Sequence, residues 1–167
     1  MNDLALRDST HRAFCTFRAG AQLYGIDVAS LREISTNTAI TPVPPAPAVV
    51  RGLANLRSRI LLVLDLRAML GMPPLNETTS DSRLIVLKPI IAEDVGLLVD
   101  SGGNIVSAPI ETIESVKQSL PATTAMNESS DDVQPIVVGV CKLEHELLMI
   151  IDATRLSSDV AQVMQKK

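Results

Sequence analysis

Apolar residues occur along the chain in short runs, separated by connections that carry glycine, proline or polar residues. Residues 13–18 and 22–28 flank one glycine-bearing connection, and this spacing predicts a hairpin of two strands. Residues 29–34 predict a brief helical turn with Ser30 as its capping residue. The prolines at positions 42, 44 and 45 then exclude a long helix, so the chain continues in an extended path.

The second half of the chain repeats this kind of pattern. Three further strands are predicted by short apolar runs at residues 83–87, 95–99 and 104–107. Gly102 and Gly103 predict a turn before the last run, because no Gly-Lys-Ser/Thr sequence follows that would make a phosphate loop. Residues 121–135 are rich in Thr, Ser, Asn and Asp and predict a mobile loop or a short disordered segment.

Residues 60–64 form an apolar run whose periodicity fits either a buried helix or a strand. Length and flanking residues favour the strand. Asp65 directly after it predicts the N-cap of a helix over residues 66–70, and Gly71 predicts a left-handed end to that helix. Asp152 follows another apolar run in the same way. Helix capping therefore explains both aspartates better than the carboxylate pair of an acid hydrolase.

An internal repeat relates residues 51–71 to residues 139–157. Gly52 and Gly139 are 87 residues apart, as are Asp65 and Asp152, and apolar positions between these anchors also match. The copies differ at three polar positions, where Asn55, Arg57 and Arg59 correspond to Lys142, Glu144 and Glu146. The repeat predicts two similar lobes with different surfaces.

Many short strands with small helical caps predict a mainly β fold of paired barrels or sandwiches. We expect one domain over residues 12–160. Lobe 1 covers about 12–72, with room for a C-terminal contribution, and lobe 2 covers about 83–156. The polar, proline-bearing connection of residues 72–82 marks the boundary, and residues 1–11 and 161–167 are expected to be flexible termini.

Composition narrows the classes of partner. Of the 167 residues, 46% are hydrophobic and only 2% aromatic, which predicts an aliphatic core. A net charge of -4 with mixed signs, and so few aromatic residues for stacking on bases, argue against nucleic acid. The chain shows no secretory signal, and its longest apolar runs fall far short of the roughly 20 residues that span a bilayer. We expect a cytoplasmic protein without direct membrane insertion.

Catalytic and metal-binding patterns are weak. No nucleophile with a base stands at a useful spacing, so we expect no enzyme activity, no metal and no cofactor. Glu144-His145-Glu146 is better explained as a solvated hairpin tip than as a metal site, because alternate residues of a strand point to opposite faces. Cys15 and Cys141 are predicted to be buried strand thiols. The acidic run at residues 129–132 lacks the spaced ligands of a calcium loop.

Three ordered motifs carry a resemblance to a known family: YGIDVASLREI from Tyr24, ITPVPPAP from Ile40 and GLANLRSRILLVLDLR from Gly52. They resemble the CheW-type coupling proteins of bacterial chemotaxis, and the similarity extends over most of residues 14–156. The resemblance implies two five-stranded SH3-like barrels packed side by side. It also implies a non-enzymatic adaptor between the cytoplasmic tip of a chemoreceptor and the regulatory domain of a CheA-type histidine kinase, with ring assembly with the kinase or itself as a further implication.

The resemblance also implies site residues. The kinase-binding set is Leu31, Glu33, Val43 and Arg57, with Glu33 and Arg57 paired across neighbouring elements. Leu31 has an equally good interpretation as a core residue. The receptor-binding set is Ile34, Val99 and Ile105, in a groove between the lobes that accepts an amphipathic helical tip.

The scaffold set is Gly52, Asn55, Asp65 and Arg67, together with Gly139 and Asp152. The chain departs from the family pattern at Ser58, where glycine is usual, and at Gly102, where an apolar residue is common. Two other functions stay open: an adaptor of a non-flagellar array that governs twitching, surface sensing or second-messenger output, and a small-ligand-binding double barrel.

Overall fold

The computed structural model describes residues 10–115 and 136–156. Its strands are β1 His11–Ala19, β2 Gln22–Asp27, β3 Leu31–Thr36, β4 Ile40–Thr41, β5 Val50–Leu56, β6 Arg59–Asp65, β7 Arg83–Leu87, β8 Val95–Val99, β9 Ser101–Pro109, β10 Ile113–Ser115, β11 Val137–Lys142 and β12 Leu147–Ile151. Among the described residues, helical structure is limited to α1 Leu66–Met69, residues 153–156 and two 3₁₀ turns, Val28–Ser30 and Ile110–Thr112. The predicted loop at 121–135, the predicted tail at 161–167 and residues 1–9 of the predicted tail at 1–11 lie outside the described residues. Residues 10 and 11 of that tail are described, and His11 is the first residue of β1.

The strands form two sheets, each with six strands in the described part of the chain. Sheet 1 has the order β3-β7-β8-β6-β5-β4, and sheet 2 has the order β10-β11-β12-β2-β1-β9. Neighbouring strands are antiparallel except for two parallel pairs, β6 with β8 and β12 with β2. The predicted mainly β fold with two similar lobes is confirmed. Each sheet exceeds the expected five strands because of a short edge strand, β4 or β10.

The two sheets share one topology with a permuted chain order. Reading sheet 2 in reverse gives β9-β1-β2-β12-β11-β10, which matches sheet 1 strand for strand. In sheet 1 all six strands are consecutive in the chain, whereas in sheet 2 the hairpin of β1 and β2 comes from the N-terminus. The sheets therefore divide the chain differently from the predicted lobes at 12–72 and 83–156. The reason is the parallel pairing of β2 with β12, which joins the N-terminal hairpin to the C-terminal strands.

Three apolar clusters hold this arrangement together. One lies within sheet 1 and is centred on Leu61, Val63 and Leu98. A second lies within sheet 2 and contains Phe14 and Leu148. The third and largest draws on both sheets, with Phe17 and Ile26 from sheet 2 packed together with Leu64, Ile85 and Leu97 from sheet 1. Each sheet has its own core on one face, and the opposite faces bury the central cluster between them.

The internal repeat is present in three dimensions as the β5–β6 and β11–β12 hairpins. A β-bulge interrupts the first hairpin between Val50 and Gly52, and another interrupts the second between Val137 and Gly139. At Gly52 the backbone has φ of 148°, and a Cβ would lie 2.2 Å from the carbonyl oxygen of Thr41. Gly52 therefore lets β4 approach β5, as expected of a scaffold residue. Gly139 is less constrained, since its Cβ would lie 3.1 Å from the Glu114 carbonyl oxygen.

Four aspartates end or directly follow apolar strands. Asp65, Asp152 and Asp27 cap a helical turn, and the fourth, Asp100, is described below. Asp65 accepts a hydrogen bond from the amide of Ala68 at 3.2 Å, and Asp152 accepts one from the amide of Thr154 at 2.9 Å, which confirms both predicted caps. Asp27 caps the 3₁₀ turn in the same manner. Gly71 has φ of 79° just beyond α1, as predicted.

Two local predictions differ from the structure. The turn expected at residues 29–34 occupies Val28–Ser30 and is capped by Asp27 instead of Ser30, because residues from Leu31 onward pair with β7. Gly102 and Gly103 lie inside β9 at a bulge opposite Thr16 and Phe17, not in a turn. A Cβ on Gly102 would lie 2.5 Å from Cα of Phe17, so the departure from an apolar residue here serves close strand packing.

Asp100 joins the two sheets where the chain passes from β8 to β9. Its carboxylate accepts hydrogen bonds from Nε of Arg67 at 2.9 Å and from the amide of Gly20 at 2.9 Å. Arg67 follows the Asp65 cap at the start of α1, beside sheet 1, whereas Gly20 lies in the β1–β2 turn of sheet 2. Arg67 is therefore linked through Asp100 to the β1–β2 turn of the other sheet. Burial raises the pKa of Asp100, but the hydrogen bonds from Arg67 and Gly20 and the charge of Arg67 bring it below its usual range.

Replacing Asp100 by Asn is expected to lower the free energy of unfolding at pH 7 by about 1 to 2 kcal/mol, because Arg67 loses its charge partner in a partly exposed site. The pKa of Asp100 is lower in the folded than in the unfolded chain. Its contribution is thus fully present above the unfolded value near 4 and is lost as pH falls through the folded value. Urea unfolding at pH 7 and pH 3 measures this. A wild-type advantage that is equally large at pH 3 would contradict the assignment.

A charged pair at an exposed hairpin tip

Arg57 lies at the tip of the β5–β6 hairpin and forms an ion pair with Glu33 of β3. Arg57 Nη2 and Glu33 Oε2 are 3.2 Å apart, and the side chains are 78% and 21% exposed respectively. The two elements are not hydrogen-bonded neighbours: β3 is the first strand in the order of sheet 1, and β6 and β5 are the fourth and fifth. The predicted pair is present, but it spans the sheet instead of joining adjacent strands.

A two-residue turn presents this arginine. Leu56 pairs with Arg59, and both residues between them, Arg57 and Ser58, have positive φ, 52° and 66°. A two-residue loop with two positive φ values is the type I′ turn, whose twist matches that of the flanking strands. The backbone points the arginine away from the core, so most of its guanidinium faces solvent. Ser58 replaces the glycine of the family pattern without removing the turn.

Ser58→Gly is expected to raise the free energy of unfolding by about 0.5 to 1 kcal/mol. A non-glycine residue in the left-handed region costs about 1 to 2 kcal/mol, and the greater entropy of glycine in the unfolded chain offsets part of the gain. A thermal melt should show a midpoint higher by about 1 to 4 °C. An unchanged or lower midpoint would mean that Ser58 is not strained here.

Apolar side chains surround the tip on the outward face of the same hairpin. Ile60 is 62% exposed and Leu53 is 37% exposed, and Asn55 lies directly opposite Ile60 in the strand register. Asn55 is itself exposed, because strand alternation turns it away from the buried Ala54, and its scaffold role stays a prediction. Leu53 lies between the buried Gly52 and Ala54, so strand alternation would have identified it as a surface residue, whereas Ile60 begins an unbroken apolar run that carries no such signal.

The remaining kinase-set residues differ in exposure. Leu31 is partly buried and packs against the central cluster, which supports its interpretation as a core residue. A bulge between Leu31 and Glu33 breaks the regular alternation of β3 and gives these two side chains different surroundings. Val43 is 44% exposed in the extended segment after β4. The tip therefore combines the exposed cation of Arg57 with the exposed apolar side chain of Ile60, a composition common in protein interfaces. Val43 follows Thr41, which pairs with Leu53, and so lies farther along the hairpin from the tip.

The predicted receptor set divides into surface and core residues. Ile105 is 54% exposed on β9, whereas Val99 is 1% exposed in the central cluster. Val99 cannot contact a partner directly, because β8 lies inside sheet 1 between β7 and β6 with both faces covered. Ile34 is half-buried, and a Cβ at Gly103 would lie 3.9 Å from its Cδ1. The edge strands β3 and β9 thus meet in a seam at Ile34.

The second hairpin tip carries the opposite charge and a different contact. Glu146 accepts two hydrogen bonds from Nη2 of Arg18, at 2.8 and 3.0 Å, whereas His145 is 87% exposed. Within residues 10–115 and 136–156, no group of three His, Cys, Asp or Glu side chains is placed to hold a metal ion. Cys15 and Cys141 are both buried, as predicted, and burial raises the pKa of Cys15 to about 11.

The two sheets and their shared core define a double-lobed, mainly β protein with its prominent charged pair at a hairpin tip. The chain belongs to the CheW-like domain family, whose model matches residues 13–161. It is 30% identical over 148 residues to the probable chemotaxis protein CheW of Rhizobium etli, covering 89% of this chain and 88% of that protein.

Two further comparisons extend this result. Protein PilI of Pseudomonas aeruginosa is 27% identical over 135 residues, covering 80% of this chain and 68% of that protein. The crystal structure of the scaffolding protein TtCheW from Thermoanaerobacter tengcongensis matches with a TM-score of 0.66 and 26% identity, covering 84% of this chain and 88% of that one. The chain is a scaffold protein of the CheW type and not an enzyme. Among the described residues, no helix is long and apolar enough to cross a membrane.

Proposed function

We propose that the chain is a cytoplasmic adaptor that joins the cytoplasmic tips of chemoreceptors to the regulatory domain of a CheA-type histidine kinase. The observation that carries the proposal is the Arg57–Glu33 pair, with Arg57 78% exposed at a hairpin tip. An ion pair this exposed contributes only about 0.2 to 1 kcal/mol to folding. Its placement is better explained by partner selection than by stability, since charges at the edge of an interface set specificity and association rate.

The kinase-binding surface consists of the charged pair and the apolar groups near it. Arg57 supplies the exposed cation, and Val43 supplies an exposed apolar side chain. Ile60 and Leu53 on the same hairpin extend the apolar area beyond the residues indicated by sequence. Leu31 contributes indirectly, because it packs against the central cluster and so supports β3. A few apolar anchors with a charged rim are sufficient for a specific interface of ordinary size.

The receptor-binding surface is the seam between the sheets. Ile34 on β3 and Ile105 on β9 would contact the apolar stripe of an amphipathic helix, which is how the helical tip of a receptor can be recognised. Val99 supports this seam from the central cluster. Because the two surfaces use different sets of residues, one molecule can hold both partners at once. Ring assembly with the kinase, or with further copies of the chain, would use the same scaffold geometry.

A non-flagellar array is the second candidate. The similarity to PilI favours it, because PilI is a relative of this chain that is not named as a chemotaxis protein. The two candidates share one adaptor mechanism and differ in the kinase and receptors that are bound. Isothermal titration against the regulatory domain of each CheA-type kinase of the host, and against each receptor tip, separates them. Binding to none of these partners would contradict both.

A further inference from the structure

A cavity of about 400 Å³, lined by both polar and apolar side chains, opens where the strand order of sheet 1 ends. The first and last strands in that order, β3 and β4, are joined by residues 37–39, which form one wall. The other wall is formed by Thr78, Thr79, Ser80 and Ser82, which precede β7, and by Arg83 at its start. Leu84 and Leu98, both from the core of sheet 1, form the floor. The cavity is distinct from the hairpin tip and from the seam between the sheets.

The charged and polar side chains that line the cavity include a cation but no carboxylate. Six residues with hydroxyl side chains line the cavity: Ser35, Thr38, Thr78, Thr79, Ser80 and Ser82. The hydroxyls of Ser35 and Thr38 hydrogen-bond each other, and those of Ser82 and Thr79 each accept a hydrogen bond from a backbone amide, which leaves their own O–H groups able to donate to a ligand. Asn37 adds an amide, and its φ of 56° holds it in the left-handed region. The lining includes one cation, Arg83, and no carboxylate. Hydroxyl and amide groups can donate or accept, so the guanidinium of Arg83 and the absence of a lining carboxylate are what favour an anion over a cation here.

Arg83 is fixed in place but keeps an uncompensated charge. Its Nη1 donates to the carbonyl oxygens of Ser80 and Ser82, both at 2.9 Å. Within the described residues Arg83 forms no ion pair, in contrast to Arg57 and Arg67, which each have a carboxylate partner. Nε and Nη2 carry the remaining N–H donors. A guanidinium held by two carbonyls, with free donors in a fork, is arranged to bind an oxyanion.

We propose that this cavity binds a small phosphate monoester, with the phosphate on Arg83 and the hydroxyl side chains and the organic part toward Leu84 and Leu98. The volume lies in the range of small-molecule sites in proteins. The forked guanidinium matches the geometry of phosphate oxygens better than a lysine ammonium would. The hydroxyl groups then supply further hydrogen bonds to the phosphate and to polar groups of the ligand.

Two-dimensional amide NMR of the whole chain tests the site with glycerol 3-phosphate and inorganic phosphate, each titrated against chloride at constant ionic strength. We expect saturable shifts confined to residues 37–40 and 78–84, with tighter binding of glycerol 3-phosphate. Equal affinity for inorganic phosphate, or shifts that rise linearly without saturation, would overturn the monoester assignment.

Variants tie the binding to the proposed donors. Arg83→Gln should weaken glycerol 3-phosphate binding at least tenfold, and Arg83→Lys should have an intermediate effect. Arg32→Gln removes the same charge from an exposed position of β3 outside the cavity and should leave binding unchanged. Thr38→Val, which keeps every arginine, should weaken binding about threefold and serves as the test if Arg83→Gln fails to fold. Unchanged binding in Arg83→Lys and Thr38→Val, or an equal loss in Arg32→Gln, would overturn the proposal.

Discussion

Gly52→Ala is expected to destabilise the chain by about 3 kcal/mol or more. A Cβ at this position would lie 2.2 Å from the carbonyl oxygen and 2.8 Å from the carbonyl carbon of Thr41, and both atoms belong to the backbone and cannot rotate away. The φ of 148° adds conformational strain for any residue with a side chain. The melting midpoint should fall by about 6 to 12 °C for a domain of this size.

The repeat provides a matched control for this substitution. Gly139 occupies the equivalent position 87 residues later, but its Cβ would be 3.1 Å from the nearest atom, the carbonyl oxygen of Glu114. Gly139→Ala should therefore cost about 1 kcal/mol, since a small backbone shift relieves the contact. Equal costs at the two glycines would contradict the account of Gly52 as the point where β4 is held against β5.

Arg57→Asp is expected to weaken binding of the kinase regulatory domain by about tenfold or more, while leaving circular dichroism and melting nearly unchanged. Arg57 is 78% exposed, so its removal costs the fold little. A reversed charge at an interface, however, places like charges together and costs several kcal/mol when they are desolvated. Calorimetric titration of the kinase domain measures the change.

Two controls separate a direct contact from an indirect effect. Lys142→Asp reverses a charge on β11 in sheet 2 and should leave kinase binding intact. The double variant Glu33→Arg with Arg57→Glu restores an ion pair of opposite polarity and should still fail to bind. Recovery of binding in the double variant would mean that the pair only orients the hairpin and that Arg57 does not face the kinase.

Local chemistry made much of this fold predictable. Asp65 and Asp152 each follow an apolar strand, and that pattern alone predicted helix caps that are present in the structure. Gly52 and Gly139 predicted a repeated unit, which the two bulged hairpins confirm. Periodicity and capping act over a few residues, so one sequence is enough to find them.

Long-range pairing was not predictable in the same way. The parallel pairing of β2 with β12 decides which strands make sheet 2, and no short segment encodes it. For the same reason Val99 was expected at the surface, although its strand is central in sheet 1. Asp100 follows the apolar run of β8 just as Asp65 follows that of β6. The sequence therefore contained a signal for Asp100, but not for its partners Arg67 and Gly20.

The site was predictable only in part. Glu33 and Arg57 were expected to pair on the basis of family positions, and they lie 3.2 Å apart. Ile60, which extends the apolar surface beside Arg57, was not indicated by the motifs, because it begins an unbroken apolar run whose other members, Leu61 to Leu64, are buried or half-buried. Sequence thus located the charged centre of the proposed interface, and tertiary structure was needed for its apolar surroundings.

The most direct test of the adaptor function is a bridging measurement. A fragment of the host's receptor that carries the cytoplasmic tip is immobilised, and the isolated regulatory domain of the CheA-type kinase is added with and without the chain. We predict that the regulatory domain is retained only when the chain is present, and that Arg57→Asp abolishes its retention while the chain itself stays bound to the receptor. Retention that does not depend on the chain, or a chain that binds neither partner, would contradict the adaptor account.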